Sequence, residues 1–171
     1  VIGDSVTEGL SAYGHLDEDK VFSKIGGSVL NSEDELPQAA ATAPEAAFFS
    51  FGANEMGMFS GDEELFTSRY QEFIEKFMEL SPSTKIYVNS ISKPSESRIG
   101  SGGYFYKWQD FNQAIEEMCG RIGAEYIDNT YILIEHPDLY AGDGIHVSSD
   151  YYPYWLMHMA SQAPVSYTHL R

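Results

Sequence analysis

Val1-Ile2-Gly3-Asp4-Ser5 opens the chain, and its reading decides the fold. Two β-branched residues run into a glycine, and an acid and a serine follow. Val1-Ile2-Gly3 reads as the last residues of a buried strand rather than as a natural start, so the polar pair stands where a strand hands over to the next element. Further β-favouring runs follow at Val21 to Ile25, Ala46 to Phe51, Lys85 to Ile91 and Glu125 to Ile127, separated by longer segments of helical period. That alternation predicts an α/β domain on one mainly parallel, five-stranded sheet whose first strand is truncated.

The helical segments carry their own punctuation. From Asp62 to Leu80, the residues Leu65, Phe66, Tyr70, Phe73, Ile74, Phe77 and Met78 fall on one stripe, which reads as core. Ser60 with Glu63 forms a candidate capping box before it, and Ser81-Pro82 stops it. Phe105, Trp108, Phe111, Ile115, Met118 and Ile122 predict a second helix that ends near Gly123, and a last one runs from Ser149 or Asp150 to Met159. Pro37 and Pro44 bracket Ala39-Ala40-Ala41, a stretch with the look of a linker but too short to separate domains. Residues 1–162 are therefore expected to form one domain. The remaining 163–171 form a non-native-looking tail, because Pro164 to Arg171 resembles translated adaptor read-through.

With 171 residues and 43% hydrophobic content, the chain suits a single core. Ten Lys and Arg against 26 Asp and Glu give a net charge of −16, which repels phosphate backbones and argues against nucleic acid as a partner. The acidic runs Asp17-Glu18-Asp19 and Glu33-Asp34-Glu35 read as solvated faces, so no metal is assigned. Cys119 has no second cysteine to pair with and reads as a buried thiol beside Met118. No apolar run reaches the roughly 18 to 20 residues of a membrane span, and no signal-peptide pattern is present. Composition sets neither compartment nor oligomeric state.

In open α/β sheets ligands gather beyond the carboxyl ends of the strands. Four polar groups stand at such places: Gly3-Asp4-Ser5, Gly26-Gly27-Ser28, Gly52-Ala53-Asn54 and, before the last helix, Asp143-Gly144-Ile145-His146. Each supplies a part that acyl transfer needs. A serine on a strand-to-helix turn becomes a nucleophile once a base removes its proton, and a histidine, with an ordinary pKa of roughly 6.5, is suited to take it. Asp143, three residues before His146, lies within reach of the imidazole and fixes its tautomer. Glycine N–H groups and the Asn54 amide are suited to stabilise an oxyanion. Each group alone is a weak signal, and the four in this order are hard to obtain by chance.

In that order the four groups resemble the sequence blocks of SGNH (GDSL-like) hydrolases, over residues 1 to about 160. The resemblance implies a flavodoxin-like three-layer α/β/α fold, Ser5 as nucleophile and Asp143 with His146 as its dyad. It also implies oxyanion donors from Ser5, a glycine of the second block and Asn54. The family's usual spacing, two before a Ser or Thr, maps that glycine to Gly26, with Gly27 the adjacent alternative. Asp4 resembles an aspartate that supports the turn. Two departures stand out: Glu55 follows Asn54 where the family commonly has Asp, and a two-residue first strand is expected to pair incompletely with its neighbours.

His136, before Pro137, reads as a surface turn, and His15, His158 and His169 fit the base less well. Tyr104, Tyr106 and Trp108, after the glycine-rich Gly100 to Gly103 loop, are candidates for substrate contact or core. The expected activity is hydrolysis of a small acyl ester through an acyl-serine, with no cofactor, acetyl esters of carbohydrates being the first substrate expected from the resemblance. The alternatives are a nonhydrolytic carbohydrate-binding or scaffold domain on the same fold and a nucleotide-binding flavodoxin-like module. The latter lacks a Lys-containing phosphate loop.

Overall fold

The computed structural model describes residues 1–163; the tail expected from 163 onward lies, from Pro164 to Arg171, outside the described residues. Strands β1 (Ile2–Gly3), β2 (Phe22–Ser23), β3 (Ala46–Ser50), β4 (Lys85–Asn89) and β5 (Glu125–Ile127) form one parallel sheet in the order β2-β1-β3-β4-β5. Helices α1 (Ser5–Ala12), α2 (Glu35–Ala41), α3 (Glu55–Met58), α4 (Glu63–Leu80), α5 (Glu96–Gly100), α6 (Trp108–Ile122), α7 (Thr130–Glu135) and α8 (Tyr151–Gln162) connect and cover it.

Side chains of period 2 on the strands divide the core into two layers. Ala47 and Phe49 of β3 with Ile86 and Val88 of β4 pack against α2, α4 and α6, through Leu36, Phe66, Phe73, Phe77, Phe111 and Ile115. Tyr87 faces the other way, with Leu10 of α1, Ile132 of α7 and Tyr151, Tyr152 and Trp155 of α8. The result is a three-layer α/β/α sandwich, as the sequence resemblance implies.

The first strand corrects one expectation. Ile2 is in register with both Phe22 and Phe49, and Gly3 with both Ser23 and Ser50, so two residues pair on both sides. They suffice because β2 is equally short and because Gly3 lets its neighbours close in. A Cβ there would stand 2.1 Å from Thr7 Oγ1 and 2.5 Å from the Ser50 carbonyl oxygen.

Four other details differ from the sequence reading. Asp62, not Ser60, caps α4: its carboxylate accepts the Leu65 N–H at 2.9 Å, whereas Ser60 sits at φ 52 and Glu63 pairs with Lys107. Leu65 itself is exposed. The Ala39-Ala40-Ala41 stretch is helical, because Pro37 falls in the first turn of α2, where an N–H has no intrahelical acceptor. The fourth strand ends at Asn89, and the Asn112 side chain instead takes up the Ile91 N–H at 2.7 Å and carbonyl at 2.9 Å. As expected from the sequence, by contrast, Gly123 closes α6, in the left-handed conformation at φ 74.

Cys119 is buried in the core, and burial pushes its thiol up to about 12. Among the described residues no helix is long and apolar enough to cross a membrane.

Candidate active site

The strand order reverses at β1, whose successors leave to β2 on one side and β3 on the other, and a cleft opens at the carboxyl ends beside such a switch point. Ser5 stands there as the first residue of α1. Asp4 caps the helix, its carboxylate accepting the Val6 N–H at 2.9 Å, while its own N–H donates to the Ser50 carbonyl of β3 at 3.3 Å. This fixes the turn between strand and helix. At the first helical position the Ser5 N–H has no intrahelical acceptor and is free to face a ligand.

The segment from Tyr140 to Val147 brings His146 to it. Tyr140 and Val147 form an antiparallel bridge, and the Ala141 N–H donates to the His146 carbonyl at 2.8 Å. The loop is moored to α5 by the Ser95 N–H, which donates to the Gly144 carbonyl at 2.9 Å. Within it one Asp143 oxygen accepts the backbone N–H groups of Ile145 and His146 at 2.9 and 2.8 Å, and the other lies 2.5 Å from His146 Nδ1. His146 Nε2 lies 2.9 Å from Ser5 Oγ, across 141 positions of sequence. Partial burial pushes the Asp143 carboxyl up, but hydrogen bonds from the His146 ring and from the Ile145 and His146 N–H groups outweigh it and hold the group down at about 2. Asp143 is thus ionised throughout the neutral range. Half the surface of each partner remains open to solvent, which leaves room for a substrate.

Asn54 precedes α3, and its side-chain amide donates to the Gly27 carbonyl at 3.1 Å. The glycine turn is shaped by Asn31, which donates to the Gly26 carbonyl at 3.1 Å and accepts the Ser28 N–H at 2.8 Å. Of the two glycines, Gly27 is the buried one, set against Gly3 and Asn54, and its N–H donates to the Lys24 carbonyl at 3.0 Å. Gly26, singled out by spacing, is the exposed corner of the turn at φ 70.

A small cavity of about 40 Å³ lies next to the site, lined by sequence neighbours of Ser5, Asn54 and His146 but by none of the three themselves. Val6 beside Ser5, Ala53 beside Asn54 and Ile145 beside His146 line it, with Ile91, Pro94 and Trp155.

The rival histidines are occupied elsewhere. His136 packs on Tyr154, half-buried rather than on an open turn. His15 Nε2 lies 3.1 Å from Ser149 Oγ, and His158 Nδ1 lies 2.8 Å from Asn129 Oδ1. His169 lies outside the described residues. Trp108 packs against the core, Tyr104 covers Gly61, and Tyr106 is exposed. Among the described residues no group of three or more His, Cys, Asp and Glu is arranged to hold a metal ion. Sequence reasoning passes over Gly3, whose missing side chain lets β1, β3 and α1 meet under Ser5, and over the burial of Glu55. Gly3 is signalled only by its place directly before the Asp-Ser pair.

No curated protein matches the chain in sequence. Solved structures do match its fold. A Streptococcus pneumonia protein named for platelet activating factor superimposes with a TM-score of 0.76 at 19% identity, covering 94% of this chain and 81% of that one. The acetyl xylan esterase AlAXEase gives 0.70 at 17% identity, over 95% and 98% of the two chains. Phospholipase A1 from Streptomyces albidoflavus NA297 gives 0.69 at 13%, over 95% and 97%. At such identities the likeness is one of fold. The sequence itself carries the assignment: residues 1–152 match the model of the GDSL-like lipase/acylhydrolase family, and the chain belongs to that family as an esterase of the SGNH type.

Proposed function

We propose that the chain is a serine esterase that cleaves small acyl esters through an acyl-serine intermediate. The observation that carries this reading is the continuous relay from Asp143 Oδ2 through the His146 ring to Ser5 Oγ, at 2.5 and 2.9 Å. With Nδ1–H given to ionised Asp143, Nε2 is left as the acceptor for the Ser5 hydroxyl proton. As Nε2 takes that proton, Oγ attacks the ester carbonyl carbon and the carbonyl oxygen becomes an oxyanion. The Ser5 N–H, the second hydrogen of the Asn54 amide and the Gly26 N–H stabilise it, the Gly27 N–H being taken up by the Lys24 carbonyl. Collapse expels the alcohol, which takes the proton back from Nε2. Water then repeats the sequence on the acyl-serine, with His146 as base, and releases the acid.

Acetylated carbohydrates are the first substrates to try, in line with the acetyl xylan esterase among the structural neighbours. The test is a panel of acetyl, butyryl and octanoyl aryl esters together with a fluorophosphonate probe mapped by mass spectrometry. Acetyl preference and labelling at Ser5 are expected; a probe carried on any other residue overturns the mechanism.

A further inference from the structure

Two carboxyl groups lie buried under the site and take no proton in the reaction above: Asp4, 4% exposed, and Glu55, 0% exposed. Glu55 is the first residue of α3, directly after Asn54, and its Oε1 accepts the Val29 N–H at 2.9 Å. Val29 stands two residues after Gly27, whose carbonyl holds the Asn54 amide. The Glu55 carboxyl and the Asn54 amide thus cross the same gap in opposite directions, joining the two loops that carry the oxyanion donors.

The second oxygen of Glu55 is buried and has no hydrogen-bond partner among the described residues. A carboxylate with one bare oxygen in the core is costly, and a second carboxylate nearby makes it more so. The groups that face Glu55 add no positive charge. Asp4 approaches from the turn before α1, and Tyr70 from α4 is a neutral phenol whose hydroxyl is also buried and unpartnered. Burial pushes Asp4 itself up to about 6, but the Val6 N–H it accepts as cap of α1 pulls it down, so it ionises before Glu55.

We infer that Glu55 is a positioning residue of the oxyanion site: as a neutral carboxylic acid it clamps the glycine turn to the Asn54 loop, and on loss of its proton the repulsion from Asp4 and the buried bare charge outweigh its strengthened bond to Val29 and part the two loops. This rests on the serine-esterase reading of the same site. Burial, reinforced by the charge of Asp4, pushes Glu55 up to about 7 against the pull of the Val29 N–H, so ionisation falls in the working range of an esterase. The oxyanion donors then lose their alignment as pH rises, a loss felt in the transition state and hence in kcat rather than KM.

Glu55→Gln tests this, because the amide offers the same acceptor to Val29, places a donor where the acid's O–H stands, and cannot ionise. The kcat and KM for an aryl acetate are measured from pH 5.5 to 9 in both proteins, and the ratio above pH 7, where Asp4 is ionised in both, is the one read. The ratio of variant to wild-type kcat is expected to rise above pH 7 and to reach about tenfold by pH 9, less than outright loss of a donor, with KM unmoved. A flat ratio, or a Gln variant that is folded but inactive, overturns the inference.

Thermal midpoints give a readout independent of chemistry. A carboxyl raised from 4.5 to about 7 holds its proton more tightly when folded, so stability is lost as pH rises between those values. The wild type should therefore lose midpoint relative to Glu55→Gln across that window. A constant difference, or a Gln variant that does not fold, overturns the neutral clamp. A wild type that cleaves no aryl ester strikes at the serine reading instead, and the midpoints still decide the state of Glu55.

Discussion

The side-chain amide of Asn54 donates to the carbonyl of Gly27 at 3.1 Å, so one of its two hydrogens orients the group and the other is left for a ligand. An amide held this way is preorganised for charge that appears only in the transition state. Asn54→Ala is expected to lower kcat by roughly a hundred- to a thousand-fold with a smaller change in KM. Steady-state kinetics on an aryl acetate check it, and an unchanged kcat would reduce Asn54 to a loop brace.

Ser5→Ala should abolish turnover, by on the order of a million-fold in kcat, as loss of a triad member does. The fold should survive, because the Asp4 cap and the Ser50 carbonyl bond belong to the backbone around Ser5 and not to its hydroxyl. Circular dichroism and a thermal melt establish folding; a folded Ser5→Ala that retains most activity would remove Ser5 from the mechanism.

Gly3→Ala is expected to destabilise the protein by about 1–3 kcal/mol through overpacking. A Cβ 2.1 Å from Thr7 Oγ1 meets a side chain able to turn away, but the Ser50 carbonyl oxygen at 2.5 Å is backbone and must move with β3. Because Ser5 is two residues on, activity should fall more steeply than stability alone explains. Urea unfolding gives the first quantity, and kcat under fully folded conditions gives the second.

These sites show which parts of the molecule were legible in the sequence. The meeting of Ser5, Asp143 and His146 was, since each sits in a short motif at an element end, and acyl transfer, the chemistry proposed for them, restricts the residue types. Glu125–Ile127 was legible as a strand for a similar reason, a short run between a helix-ending glycine and a polar loop. What escaped depends on partners far along the chain. Nothing local distinguishes Asn112, which closes on Ile91 from α6, from a surface amide. The burial of Glu55 follows only once the fold brings Val29 and Asp4 beside it. The choice between Ser60 and Asp62 as cap turned on one backbone angle that spacing does not reveal.

Asn129 is another such amide, and it ties α8 to the sheet. Its Nδ2 donates to Asn89 Oδ1 at 2.8 Å, its backbone N–H donates to Ser90 Oγ at 2.9 Å, and its Oδ1 lies 2.8 Å from His158 Nδ1. Asn89 Oδ1 also accepts the Trp155 indole N–H at 3.2 Å. Asn129→Ala leaves part of this buried network unpaired and should cost about 1–3 kcal/mol. Denaturant unfolding measures it, and a change below the error of the method would show that the network relaxes around the gap.

The last prediction separates His146 from His136. Both stand in the final third of the chain beside an aspartate, yet only His146 meets Ser5, and His136 packs on Tyr154. His146→Ala should remove nearly all activity, and His136→Ala should leave it close to wild type. Asp143→Asn should cost on the order of ten-thousand-fold in kcat, since an amide stabilises the wrong tautomer and offers no charge to the imidazolium. The pH dependence of stability has a definite sign. Asp143, held near 2 when folded against an ordinary 3.8, contributes stability that is full above 3.8 and is lost as pH falls through 2. Asp143→Asn should therefore narrow its stability deficit only in acid, below the range in which activity is measured, so its kinetic defect at neutral pH reports on the tautomer and the charge. A dead His136→Ala beside an active His146→Ala would move the base to another loop and detach Asp143 from the mechanism.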